Sequence, residues 1–230
     1  MTIRDRRTPA EERERVLRSH ERFWRAGDLA GSPSTKRHLL SSLVDEGELR
    51  RVRRGLYWRG SKSPLGMAPP PTDVLIHELA PGPGVGPAGL YAANLLRLST
   101  QVPRRAEVAV PARAPENLEA IRFVARRSRD ARAEEGLTPM EVALLEVLGS
   151  WESTIELAPD EAWQRLMAIV LSGRVRPDRV ARAGRTEPGS VRARLRELLR
   201  ASGRDDLVGE VPDSDERTKA AATRVLPALT

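Results

Sequence analysis

The 230-residue sequence contains no cysteine, which removes disulfides, thiolate metal sites and a cysteine nucleophile together. Aromatic residues are scarce at 3%, so a core has to be assembled mainly from Leu, Val and Ala within a hydrophobic content of 40%. The histidines, His20, His38 and His77, lie far apart without metal-ligand spacing, so no metal and no cofactor are predicted. No apolar run approaches the roughly 18 residues of a membrane span. The opening stretch, MTIRDRRTPAEERER, is charged throughout and carries no apolar signal core. The expectation is a cytoplasmic protein with no membrane partner.

Catalytic signatures are missing as well. There is no Gly-x-Ser-x-Gly and no pair of carboxylates in an apolar setting. A nuclease of the Asp…Glu-x-Lys kind fails because none of Lys36, Lys62 and Lys219 has a glutamate two residues before it. The nearest approach, Glu216-Arg217-Thr218-Lys219 after Asp213, has one residue too many. No enzyme is predicted.

What is abundant is arginine, which supplies all the basic residues except those three lysines and leaves a net charge of +7. Its distribution is uneven. Residues 1–60 hold 15 Lys+Arg against 9 Asp+Glu, a net of +6, whereas residues 204–230 hold 4 against 6, a net of −2. A basic front end attracts the phosphate backbone of nucleic acid and makes binding salt-dependent.

The local patterns give that front end a shape. Thr8-Pro9-Ala10-Glu11 combines a capping residue, a proline at the first helical position and a capping-box glutamate, so a helix should run to about Glu21. Phe23, Trp24, Leu29 and Ala30 suggest a short second helix closed by Gly31. Ser32-Pro33 opens a third, with Leu40, Leu43 and Val44 as its inward stripe and Gly47 at its end. RRVRRGLYWRG (50–60) then reads as a hairpin turning at Arg54-Gly55, with Val52, Leu56 and Trp58 on one face. Three short helices and a basic hairpin make a winged helix-turn-helix.

With Leu40, Leu43 and Val44 inward, Ser34, Thr35, Arg37, His38 and Ser41 project outward near the start of the third helix. That suits a recognition helix, and it also describes an ordinary polar helix face. Joined to the hairpin arginines Arg50, Arg51, Arg53, Arg54 and Arg59, the pattern favours a double-stranded DNA reader. Tyr57 and Trp58 read as core packing.

Beyond the hairpin, residues 63–72 are rich in Pro, Ser and Gly and read as a linker. PGPGVGPAG (81–89) lacks the lysine and Ser/Thr of a phosphate loop and precedes a helix, LYAANLLRLS. AEVAVP and AIRFVARR alternate apolar and polar residues as paired strands do. Thr138-Pro139-Met140-Glu141 repeats the capping logic of Thr8, and amphipathic helices follow at 159–172 and 188–201. The pair within 178–199 has the outline of a second helix-turn-helix, an outline shared by any arginine-rich helical pair.

The fold class is therefore α+β and mostly helical: an N-terminal winged helix-turn-helix plus a mixed C-terminal domain with a small β-sheet and several helices. The boundaries are 1–62 for the DNA-binding domain, 63–72 for the linker, 73–203 for the C-terminal domain and 204–230 for a loosely ordered polar tail.

GPAGLYAANLLRLSTQVPRRAEVAV (86–110), following a winged domain that ends in RRGLYWRG, resembles the AbiEi-type antitoxins of bacterial type IV toxin–antitoxin systems. The similar features are a basic strand closing in Gly-Leu-Tyr, a Gly-rich lead into a helix bearing Ala-Ala-Asn-Leu-Leu, and the segment Leu98–Pro103. Arg97 departs from the pattern, standing where the family's Leu-Gly-Leu has glycine. The resemblance implies an antitoxin that neutralises a nucleotidyltransferase-like toxin, directly or indirectly, and represses its own operon by binding inverted repeats, monomeric in solution with two copies on DNA. It assigns Ser34, Thr35, Lys36, Arg37, His38 and the hairpin arginines to DNA. Asn94, Thr100 and Gln101 remain a signature without a role; satisfying backbone groups is their simplest use. The alternative function is a stand-alone winged-helix regulator with a C-terminal ligand or partner domain.

Overall fold

A computed structural model describes residues 8–64 and 66–227. The first seven residues of the expected DNA-binding domain, Leu65 of the expected linker and the last three residues of the expected tail lie outside them. The chain divides into two compact units, Met1–Glu78 and Leu79–Thr230.

The N-terminal unit begins with α1 (Pro9–Arg18), whose start forms the expected capping box: Thr8 N donates to Glu11 Oε2 at 2.6 Å and Glu11 N to Thr8 Oγ1 at 3.3 Å. The helix stops three residues earlier than expected because Ser19 is extended and turns both its N–H and its hydroxyl onto the Val16 carbonyl. The expected second helix is corrected. Phe23 and Trp24 lie in a strand, β1 (Arg22–Trp24), and only a 3₁₀ turn at Ala26–Asp28 is helical. Large aromatics suit a pleated surface, and here each finds a cross-strand partner, Phe23 opposite Trp58 and Trp24 opposite Tyr57. Tertiary pairing overrides the local pattern.

Next come α2 (Pro33–Asp45), capped by Ser32, and a hairpin of β2 (Arg50–Arg53) and β3 (Leu56–Arg59). Gly47 and Gly55 take φ of +71° and +77°, the left-handed values that the end of α2 and the hairpin turn require. The antiparallel sheet has the order β1-β3-β2, so the element order and pairing are those of a winged helix-turn-helix. Leu56 and Trp58 point inward as expected. Pairing slips between Arg51 and Arg53, however, a bulge that takes Val52 out of the ladder and leaves it half-buried. Val16, Trp24, Leu29, Leu40, Leu43 and Leu49 form the core of this unit. The expected linker holds a small hairpin of β4 (Lys62–Ser63) and β5 (Gly66–Met67), followed by α3 (Thr72–Leu79). Met67 is buried there and its sulfur accepts from Gly60 N at 3.2 Å.

The C-terminal unit carries a mixed sheet of β6 (Gly86–Pro87), β7 (Ala106–Val110) and β8 (Ile121–Ala125) in that order. β6 pairs antiparallel with β7, and β7 parallel with β8. Between β6 and β7 lies α4 (Gly89–Leu95). The helices α5 (Ala131–Glu134), α6 (Pro139–Gly149), α7 (Trp151–Thr154), α8 (Pro159–Leu171), α9 (Pro177–Ala183), α10 (Gly189–Ala201) and α11 (Glu216–Thr223) follow. α6 is the central helix: Val142, Ala143, Leu144, Leu145, Val147 and Leu148 are all buried, so it has no solvent stripe. The Gly-rich lead explains itself by close approach. A Cβ on Gly86 would lie 2.7 Å from Val142 Cβ, and one on Gly84 would lie 2.7 Å from Ala133 N.

Residues 204–227, expected to be loosely ordered, instead pack on α10. Val211 and Ala222 are buried, and two arginines of α10 bind the segment's carbonyls: Arg196 Nη1 donates to Val208 O and Val211 O, and Arg194 Nε to Ala222 O at 3.0 Å. A polar-looking segment is ordered here because its backbone acceptors have fixed donors.

Candidate nucleic-acid interface

The outer face of α2 is built by its own cap. Ser32 Oγ accepts from Thr35 N at 3.2 Å and lies 2.9 Å from Ser34 Oγ and 2.8 Å from Thr35 Oγ1. Leu40 and Leu43 are buried beneath, which leaves Ser34, Arg37, His38 and Ser41 exposed and Thr35 and Lys36 half-buried. Arg37 Nε donates to Pro33 O at 3.1 Å, which lays its stem along the first turn. No acidic residue occurs in the first turn, and Asp45 at the far end is the first carboxylate on the helix. The start of α2 therefore presents hydroxyls, cations and the positive end of a helix dipole, a combination suited to phosphate.

The hairpin divides its residues between packing and display. Trp58 is buried at 1% exposure and packs against Phe23 with ring centroids 4.7 Å apart and the planes tilted by 50°, while Tyr57 packs on the core. Arg51 and Arg54 are exposed and Arg53 half-buried. Arg50 is exposed, with Nη1 donating to Met67 O at 3.3 Å.

Arg59 differs from the other hairpin arginines. It is engaged inside the unit: Nη2 donates to Leu17 O at 3.3 Å and lies 3.4 Å from Glu48 Oε2. Its side chain is 16% exposed, which identifies a brace between β3 and α1.

Ion pairing separates two populations of cations in this unit. Arg13 pairs with Glu46, Arg15 with Glu12, Arg18 with Glu14, Arg25 with Glu78, and both Arg59 and Lys62 with Glu48. The Arg13 hydrogen bond, aided by Ser42, lowers the pKa of Glu46, and the Lys62 hydrogen bond does the same for Glu48. Lys36 and Arg37 on α2, and Arg50, Arg51, Arg53 and Arg54 on the hairpin, have no ion pair among the described residues. Arg22 on β1 also lacks a carboxylate among the described residues, but its guanidinium lies 4.4 Å from the centroid of the Trp24 ring; the remaining unpaired cations belong to the proposed recognition helix and wing. Sequence alone did not show this, because most of the pairing partners are distant along the chain.

Of the signature residues of the C-terminal unit, Asn94 serves the backbone, while the Thr100 and Gln101 side chains bind a carboxylate. Asn94 Nδ2 lies 3.4 Å from both Ser99 O and Gln101 O, and Gln101 N donates to Ser99 Oγ at 3.1 Å. The residue that sequence reading missed is Glu156. It accepts from Thr100 N at 2.7 Å, from Thr100 Oγ1 at 3.1 Å and from Gln101 Nε2. The Thr100 backbone donor, with Gln101 and Ser99 adding to it, pushes the Glu156 pKa down to about 2. These contacts fasten the segment after α4 to the loop before α8. A lone glutamate fifty-six positions from Thr100 carries no sequence signal of that partnership.

Arg97, the departure from the family's pattern, has φ +58°. Leu98 N donates to Ala93 O at 2.8 Å and Arg97 N to Asn94 O at 2.9 Å, the paired bonds of a Schellman helix end. The backbone keeps the glycine conformation while the side chain is arginine.

The second helix-turn-helix outline has a different use. α10 is largely buried, and Arg194 also donates to Leu148 O at 2.7 Å, so this helix is spent on the core. Among the described residues no group of three or more His, Cys, Asp or Glu could hold a metal, and no helix is long and apolar enough to cross a membrane.

No family model matches the sequence, and no curated protein matches it. Among solved structures, the crystal structure of the RV2827C protein from Mycobacterium tuberculosis is similar, with a TM-score of 0.51 over 91% of this chain and 84% of that chain at 18% identity. The likeness is one of fold.

Proposed function

We propose that the chain is a DNA-binding antitoxin: its N-terminal unit binds inverted repeats in its own promoter and represses the operon, and its C-terminal unit serves to neutralise a nucleotidyltransferase-like toxin. The observation that supports DNA binding is the partition of cations on a winged helix-turn-helix. Lys36, Arg37, Arg51, Arg53 and Arg54 lie on the helix and wing that such a fold presents to a duplex, and they lack carboxylate partners among the described residues. In this reading Ser34, Thr35, His38 and Ser41 meet phosphates and base edges from the start of α2, and the hairpin arginines bind backbone or a minor groove. Arg59 is left out of the contact set because its guanidinium is already engaged. Two copies would occupy two repeats, with half-sites about 34–36 Å apart or a multiple of that spacing. No catalytic step is assigned to the chain.

Replacing Arg51, Arg53 and Arg54 together by Ala is expected to weaken operator binding in a mobility-shift titration. It should also flatten the plot of log affinity against log salt by about 0.9 for each phosphate that is no longer neutralised. Unchanged affinity with an unchanged slope would refute the interface. The toxin half of the proposal rests on the resemblance of residues 86–110. It is tested by co-expressing the full chain with the product of the adjacent gene and scoring growth. Rescue from a nucleotidyltransferase-like neighbour supports the antitoxin. A chain with no such neighbour that still binds its promoter is a stand-alone regulator.

A further inference from the structure

The C-terminal unit contains a groove that the DNA-binding reading does not use. Its volume is about 550 Å³, within the range of roughly 300–1,000 Å³ typical of recognition pockets. One wall is the end of α4 with its Schellman turn, bearing Leu95, Leu96 and Arg97; the other is α8, bearing Arg165, Ala168 and Ile169, with Arg174 in the turn beyond.

Charge and polarity are segregated within it. Leu96 and Ile169 are buried at 3% and 6% exposure and form an apolar floor. Leu95 lines the groove at 38% exposure, and Leu171 in the same last turn of α8 is 67% exposed. Arg97, Arg165 and Arg174 face one carboxylate, Glu161, and their side chains have no ion pair or hydrogen bond among the described residues. Elsewhere in this unit Arg126, Arg129, Arg132, Arg176, Arg182 and Arg185 are all matched to glutamates. Arg97 is displayed from a left-handed backbone position that glycine would fill more readily, so its charge is presented at a conformational cost.

We propose that this groove docks an acidic, amphipathic segment of a partner protein, whose apolar side chains enter between Leu95 and Ile169 and whose carboxylates meet Arg97, Arg165 and Arg174. Arginine clusters recognise acidic motifs and apolar grooves recognise amphipathic helices; this surface combines the two. A nucleic-acid strand fits it less well, because phosphates gain nothing from the apolar floor. A free nucleotide fits less well too, because no aromatic ring lines the groove to stack a base. The proposal does not depend on the DNA-binding reading and can fail without affecting it.

The test uses the full-length protein and fluorescence anisotropy, with a labelled amphipathic peptide of alternating leucine and glutamate turns as the probe. Comparators are an all-glutamate peptide, a leucine–lysine peptide and a labelled single-stranded oligonucleotide. The leucine–glutamate peptide is expected to bind at least about tenfold more tightly than each comparator, a difference of about 1.4 kcal/mol. The double variant R165E/R174E should lose about tenfold or more in affinity for it. So should A168W, which fills the groove at an exposed helical position without changing charge and keeps the test open if the charge reversal misfolds. Absence of binding to the wild type overturns the proposal, as does binding that survives A168W. Equal affinity for the all-glutamate peptide or the oligonucleotide, lost in R165E/R174E, also overturns it and identifies a simple anion site.

Discussion

The two units use the same residue in opposite ways. In the C-terminal unit, outside the groove that bears Arg97, Arg165 and Arg174, a buried cluster uses arginine as an internal fastener. Arg132, with no exposed side-chain surface, donates to Glu187 from Nε and Nη2 at 2.6 and 3.0 Å and to Glu146 from Nη1 at 2.7 Å. Arg126 and Arg129 close on the same Glu146. Burial works against the charge on Glu146, but the Arg126 hydrogen bonds and the Arg132 and Arg129 guanidiniums outweigh it and hold its pKa below the usual carboxylate value. In the N-terminal unit Arg50, Arg51, Arg53 and Arg54 of the wing stand without carboxylates among the described residues, beside others that are paired. A basic composition therefore says little by itself; the supply of nearby glutamates decides whether an arginine holds the fold together or remains available to a partner.

The comparison breaks if the buried cluster turns out to be dispensable. Glu146→Ala strips Arg126 of its carboxylate and leaves Arg132 and Arg129 only Glu187. Removing one partner from a buried ionic group costs about 3–5 kcal/mol, visible as a lower urea midpoint. A loss below about 1 kcal/mol, the range of surface pairs, would place the cluster among ornaments of the surface.

Within the N-terminal unit the contrast narrows to two residues five positions apart. Arg59→Ala should cost about 1–2 kcal/mol of stability, since it removes a hydrogen bond and a half-buried ion pair. Arg54→Ala should stay within about 0.5 kcal/mol while weakening DNA binding. Equal melting midpoints for the two variants would erase the distinction between brace and displayed charge.

Acid sharpens the picture for Glu156. Its folded-state pKa, about 2, lies below the ordinary 4.5, so the unfolded chain takes up the proton first as pH falls. The stability it confers is complete above the ordinary value and disappears as pH falls through about 2. The gap in thermal midpoint between the wild type and Glu156→Ala should therefore close between neutral pH and strong acid. A gap independent of pH would show that the residue acts through packing alone. A gain rather than a loss is expected at Arg97→Gly. Relief of a left-handed arginine, set against the greater freedom of glycine when unfolded, should raise stability by about 0.5–1 kcal/mol, and thermal unfolding that shows a loss would contradict the helix-end argument.

Legibility followed the range of the interactions. The Thr-Pro-x-Glu starts of α1 and α6, the Ser32 cap and the turn at Gly55 were readable because every participant lies within four residues. β1 was not, since Phe23 and Trp24 become strand residues only against Tyr57 and Trp58. Residues 204–227 were not, because the donors that order them sit on α10. For the candidate site, the sequence located α2 and the hairpin, but the separation of Arg59 from Arg51, Arg53 and Arg54 required the positions of Glu48 and Leu17 O. The partner of Thr100 and Gln101 was hidden for the same reason.

The tryptophans offer a different use of this architecture. Trp24 and Trp58 belong to the N-terminal unit and Trp151 and Trp163 to the other, so each unit carries its own optical signal. Trp58 is placed to report on the wing: it lies on β3 directly opposite Arg50, its Nε1 has no hydrogen-bond partner among the described residues, and a Cβ on Gly60 would come within 2.3 Å of that nitrogen. With Trp24, Trp151 and Trp163 replaced by Phe, the remaining emission comes from the strand that carries the wing. Rearrangement of that strand on DNA would then change its colour, while melting confined to the other unit would leave it unaltered.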